Sequence, residues 1–167
     1  MKNRKTIFTA ILLAFGSFAL SPIAQAVVPA PDGGYTGGNT AEGQNALLSL
    51  TTGTYNTAVG FVGLQSNQTG SLNTALGAGT LRLNTADQNT AVGAGALLSN
   101  FTGADNTANG AFALFSNITG TGNTAVGPNA LFSNTTADFN TAVGWSALAL
   151  NTTGTGNTAF GVNALVD

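Results

Sequence analysis

The tripeptide Asn-Thr-Ala returns at Asn39, Asn56, Asn73, Asn89, Asn106, Asn123, Asn140 and Asn157, in steps of 17, 17, 16, 17, 17, 17 and 17 residues. Each of these eight copies has a Gly four residues after its Asn, from Gly43 to Gly161, and a Leu eight after it, from Leu47 to Leu165. A fixed period near twenty residues marks units that cannot bury an apolar face alone and do so by stacking on one another. No other feature of the sequence constrains the fold as much.

The punctuation of the copies says what each unit is. If extended, Asn-Thr-Ala-Val-Gly sends Thr124 and Val126 to one face and Asn123 and Ala125 to the other. The Gly lacks a Cβ and suits a corner of positive φ. The next segment, Ala130 to Ser133 in this copy, is apolar and runs into Asn134-Thr135-Thr136, a turn composition. Only about eight residues separate one Gly or Asn-Thr break from the next, short of the roughly 12 to 15 that an isolated helix needs.

The expected unit is therefore a coil of two strands, each of roughly four to six residues, joined by two turns. Coils about 4.8 Å apart would give a rod roughly 40 Å long. The fold class is all-β: a parallel β-solenoid, or β-roll, of eight coils over residues 39–167. Its interior is expected to be thin and made of Ala, Val and Leu, so self-association would help offset chain entropy. The fourth position of the copy is Val59, Leu76, Val92, Val126, Val143 and Phe160, but Glu42 and Asn109 break this apolar stripe. Glu42 fits an end coil, and an amide ladder is the one role on offer for Asn109. The 16-residue copy, Asn73 to Gln88, is expected to lack a residue in a turn near Thr85 to Gln88, since a strand deletion would flip every following side chain.

Residues 1–26 read as a secretory signal peptide: basic Met1 to Lys5, apolar Ile7 to Leu20, and Ala24-Gln25-Ala26 before the cut. The apolar run is short of the roughly 20 residues that span a bilayer. The mature chain would start at Val27, be exported, and carry no further membrane span. Residues 27–38, VVPAPDGGYTGG, are rich in Pro and Gly and read as a linker or as a cap on the first coil; the sequence leaves both open.

Composition removes several functions. Only 6% of residues are charged, and there is no Cys and no His, so disulfides, thiolate or imidazole metal sites and Ser-His or Cys-His nucleophiles are excluded. Beyond Lys2, Arg4 and Lys5 the one base is Arg82, against Asp32, Glu42, Asp87, Asp105, Asp138 and Asp167. That body cannot neutralise the phosphates of a nucleic acid. Asp87 and Asp105 could form a glycosidase pair or help hold calcium, but they fall in neighbouring turns where solvated charge is the ordinary role. The Gly-Gly-x-Gly-x-Asp nonapeptide of calcium-binding rolls is missing. No catalytic, cofactor or metal residue is expected, and the chain is not read as an enzyme.

Three further patterns stand out. Asn67, Asn100, Asn117, Asn134 and Asn151 each open an Asn-x-Thr sequon at one place in the repeat, which turn chemistry explains without glycosylation. Phe115, Phe132 and Trp145 are expected to pack against neighbouring chains rather than stand free. Thr69, Thr102, Thr119, Thr136 and Thr153 would make a hydroxyl ladder if the chain were a soluble ice-binding solenoid, the alternative function.

With its Ala-Leu partner, the Asn-Thr-Ala-Val-Gly core resembles the head repeat of trimeric autotransporter adhesins, the YadA-like head. The Asn-Thr-Ala and Ser-Asn-Thr-Thr-Gly elements also resemble repeats of bacterial tail-fibre-like surface proteins. The resemblance covers residues 39–167. It implies a left-handed parallel β-roll, a homotrimer, and a secreted or cell-surface module that adheres to a host or environmental surface without catalysis. The 17-residue repeat is longer than the usual adhesin one, and no stalk, β-barrel anchor or chaperone follows Asp167 in this sequence. The strand edge of the eighth repeat invites pairing with another chain, so either the gene is expected to be truncated or the ends to stack on partners.

Overall fold

A computed structural model describes residues 35–166. The expected signal peptide, residues 27–34 of the expected linker and Asp167 lie outside the described residues. Every copy contributes one three-residue strand: β1 Thr40–Glu42, β2 Thr57–Val59, β3 Thr74–Leu76, β4 Thr90–Val92, β5 Thr107–Asn109, β6 Thr124–Val126, β7 Thr141–Val143 and β8 Thr158–Phe160. They form one parallel sheet in sequence order, Thr on Thr and Ala on Ala. The described residues are all-β, a parallel β-solenoid of seven complete coils with an eighth begun. Seven steps of about 4.8 Å separate β1 from β8, roughly 34 Å.

The shortened copy leaves this register intact, with Thr74 opposite Thr90. Its missing residue falls between Thr85 and Ala86, within the expected turn. Asn84 Nδ2 reaches the Ala86 carbonyl two residues on, where Asn67 reaches that of Gly70 three residues on.

The expected second strand is not present. Two turns replace it, closed in the first coil by Ala46 N–H on the Gly43 carbonyl at 3.2 Å and Leu50 N–H on that of Leu47 at 3.1 Å. The Leu of every copy is left-handed, from Leu47 at φ 49° to Leu131 at φ 52°, as is the residue two before it, such as Asn45 at 61° or Phe112 at 58°. Alternating handedness shortens the contour and still turns backbone groups towards the next coil. Leu47 N–H thereby reaches the Gly63 carbonyl at 3.0 Å, and Ser49 N–H that of Gln65 at 3.1 Å. Left-handed backbone costs a Leu roughly 1–2 kcal/mol, which full burial of its side chain, worth about 1.5–3 kcal/mol, offsets. Leu64, Leu81, Leu97, Leu114 and Leu131 are all fully buried.

The corner Gly after each strand from β1 to β7 is fixed twice over. Gly60 has φ 131°, and a Cβ built on it would lie 2.5 Å from the Gly77 carbonyl oxygen in the next coil. The coils stack too closely there for any side chain.

The interior is Ala, Leu and Asn rather than Ala, Val and Leu. The Val of each strand faces outward with Thr, while Ala58, Ala75, Ala91, Ala108, Ala125 and Ala142 are buried. Buried Asn amides form two columns, one from Asn39 to Asn140 and one from Asn67 to Asn134. In the first, Asn106 Oδ1 accepts from the backbone N–H of Asn123 at 2.9 Å and from its Nδ2 at 3.2 Å. In the second, Asn117 Nδ2 donates to Asn100 Oδ1 at 2.7 Å, and Asn134 Nδ2 to Asn117 Oδ1 at 2.9 Å. From the second coil to the sixth the two columns meet on one carbonyl per coil: Gly120 O accepts Asn106 Nδ2 at 2.8 Å and Asn117 Nδ2 at 2.9 Å.

Tyr35 to Gly38 complete a corner against the first coil. Tyr35 bridges Asn39, Gly37 O accepts Tyr55 N–H at 2.9 Å, and Thr36 O accepts Asn39 Nδ2 at 2.7 Å.

Candidate interaction surface

The outward side of the sheet is the most regular surface the described residues offer. Thr40, Thr57, Thr74, Thr90, Thr107, Thr124, Thr141 and Thr158 form one unbroken column, each the register partner of the next. All are exposed or half-buried. The column beside it is Glu42, Val59, Leu76, Val92, Asn109, Val126, Val143 and Phe160. Because this position faces outward, Glu42 and Asn109 violate no core. Asn109 lies between Val92 and Val126 and belongs to no amide ladder.

None of the eight strand Thr hydroxyls hydrogen-bonds another described residue. Some threonines at the opposite turn are bonded, Thr51 Oγ1 donating to Gln68 O at 2.9 Å, Thr85 to Phe101 O at 2.6 Å and Thr135 to Thr152 O at 3.2 Å, while the hydroxyls of Thr69, Thr102, Thr119, Thr136 and Thr153 are not. The turn column expected from the sequence, Thr69, Thr102, Thr119, Thr136 and Thr153, is exposed, but the shortened coil breaks it where Ala86 follows Thr85 directly. The array is thus in the strands, and the sequence already placed Thr124 with Val126 on one face.

The Asn-x-Thr asparagines serve the fold. Asn67, Asn100, Asn117 and Asn134 are fully buried, and their amides close coils. No modifying enzyme can reach them in the folded chain. Sequence reasoning assigned them to turns and missed the ladders; the signal was a recurring Asn at two fixed positions of the repeat rather than one.

Phe115 and Phe132 stack within the chain, on successive coils, with ring centroids 5.2 Å apart and planes 2° apart. Phe112 meets Phe115 edge-on at 5.7 Å. The Phe115 and Phe132 rings stay half-buried in the single chain. Trp145 is half exposed, as is Phe61 in the equivalent position of an earlier coil.

Asp87 Oδ1 accepts the backbone N–H of Ser71 at 2.7 Å, and Asp138 Oδ1 does the same for Thr121. Both carboxylates bridge successive coils. Asp105 meets Asp87 only through backbone, N–H to carbonyl at 3.4 Å. Among the described residues no three His, Cys, Asp or Glu side chains gather as metal ligands, and no helix is long and apolar enough to cross a membrane. A groove of about 470 Å³ beside the first coil is lined by Tyr35, Leu47, Leu48, Leu50 and neighbouring Thr and Gly, with no carboxylate or base.

No protein-family profile, curated protein or solved structure matches the chain.

Proposed function

We propose that this chain is an exported, non-catalytic rod that acts outside the cell as a structural or adhesive module, in the manner of a trimeric autotransporter adhesin head. The observation that carries the reading is the strand face: eight coils repeat one small, nearly uncharged side-chain pattern in register. A surface of that kind suits many weak, repeated contacts with an extended partner, whereas substrate chemistry calls for a concave site with a few convergent polar groups. The secretory pattern of residues 1–26 agrees with export. Exposed Phe61 and Trp145, just past the corner glycines, give the rod apolar points for self-association into the trimer.

Attachment decides the matter. Cells that make the full-length chain should adhere to matrix-coated or abiotic surfaces more than cells whose chain lacks residues 39–167. Equal attachment would count against the adhesive role. Light scattering on the purified full-length chain tests the trimer, which a monomer mass would refute.

A further inference from the structure

We infer that the strand Thr column is an ice-binding face, in which the surface gripped by the rod is the crystal plane of frozen water; this rests on the reading of the chain as a surface-attaching module. Threonine is β-branched and stiff at χ1, so eight of them in register present a nearly fixed row of alternating hydroxyl and methyl groups. The row repeats at the strand spacing of about 4.8 Å, within a few tenths of an ångström of a repeat of water oxygens on the prism planes of ice. Side-chain ladders resist the twist of a sheet, and one unbroken Asn ladder, from Asn39 to Asn140, flanks this column.

The chemistry of the face selects among occupants. All eight hydroxyls lack partners among the described residues, so they are free to join an ordered water layer. A second copy packed on this face would bury them, and an unpaired buried hydroxyl costs about 1–3 kcal/mol. A polysaccharide would call for rings to stack on and carboxylates or amides to grip hydroxyls, but the two strand columns contain one Phe, one Glu and one Asn in sixteen positions. An ionic mineral would call for charge, and Glu42 is the one charged side chain there. A neutral lattice of water matches a neutral face of methyls and hydroxyls. The shortened coil, which interrupts the turn threonines, leaves this column whole.

The test is partition into ice. The full-length chain, purified in the form the expressing cell processes it to, is exposed to a slowly growing ice surface alongside a non-binding protein of similar charge. It should enter the ice severalfold more than the control. The double variant Thr107→Lys with Thr124→Lys should lose that enrichment, while Thr119→Lys with Thr136→Lys at the turn should keep it. Circular dichroism checks each fold, and Thr107→Tyr with Thr124→Tyr replaces any lysine variant that unfolds, since Tyr suits a strand. Exclusion of the parent chain from ice overturns the proposal, as does loss of partition in the turn variant alone. If the chain is excluded from ice but still mediates cell attachment, only the ice face falls; if both are absent, the adhesive reading falls with it.

Discussion

Asn67 and Asn84 occupy adjacent rungs of the second amide ladder and do not bond. Asn67 Oδ1 is buried without a partner, while Asn84 Nδ2 donates to the Ala86 carbonyl at 2.8 Å. On the other side of Asn84 the ladder resumes, with Asn100 Nδ2 donating to Asn84 Oδ1 at 2.7 Å. The break coincides with the 16-residue coil, whose tighter turn draws the amide of Asn84 off the column. Inserting one Thr between Thr85 and Ala86 should restore the missing bond and stabilise the chain by about 1–3 kcal/mol, the cost of an orphaned buried acceptor. Urea denaturation checks this, and a lower midpoint for the insertion would refute it.

A complete rung should show the opposite sensitivity. Asn106→Ala removes the acceptor of Asn123 N–H, at 2.9 Å, and a donor to the Gly120 carbonyl. It leaves buried polar groups on both sides unpaired. The expected loss is about 3 kcal/mol. Asn157→Ala should cost about 0.5 kcal/mol or less, because the half-buried Asn157 receives its bond through its own backbone N–H on Asn140 Oδ1, which alanine retains. Comparable losses in thermal melts of the two variants would contradict the ladder as a source of stability.

Much of this architecture was legible in the period alone. One strand per copy, its register, the corner glycines and the deletion in a turn follow from Asn-Thr-Ala-x-Gly spaced 17 apart, whereas the expected second strand is absent and the first is only three residues long. The left-handed Leu was not legible. Leu carries no propensity for positive φ, and it adopts φ near 50° only because stacking buries its side chain. The buried Asn columns were hidden for the converse reason, since Asn followed by Thr reads as a solvated turn until a neighbouring coil supplies partners. Of the interaction surface, strand alternation predicts the common face of Thr124 and Val126 but not which Thr hydroxyls remain free, since that depends on carbonyls of the adjacent coil.

Apolar positions divide sharply by column, which single truncations can read. Leu131 is fully buried, so Leu131→Ala should cost about 2–5 kcal/mol. Leu72 projects from a corner, half exposed, and Leu72→Ala should stay within about 0.5 kcal/mol. If Leu72→Ala lost as much as Leu131→Ala in urea titrations, its corner would be covered in solution by another chain.

The corner glycines separate backbone cost from steric cost. At Gly156 φ is 73° and a Cβ would meet nothing within 4 Å, so Gly156→Ala should lose only the left-handed penalty, about 1 kcal/mol. Gly110 combines φ 144° with a Cβ 2.5 Å from the Gly127 carbonyl carbon, a contact that forces the next coil to move. That backbone region is nearly exclusive to Gly, and overpacking adds about 1–3 kcal/mol, so Gly110→Ala should cost at least about 3 kcal/mol in all. Because stability in a stacked array is carried by interfaces between neighbours, the damage should also spread along the rod. Hydrogen exchange checks this: amides of β5 and β6 should exchange faster in Gly110→Ala while those of β1 stay protected. Equal losses for the two variants would mean that φ alone sets the cost and that the coils have room to separate.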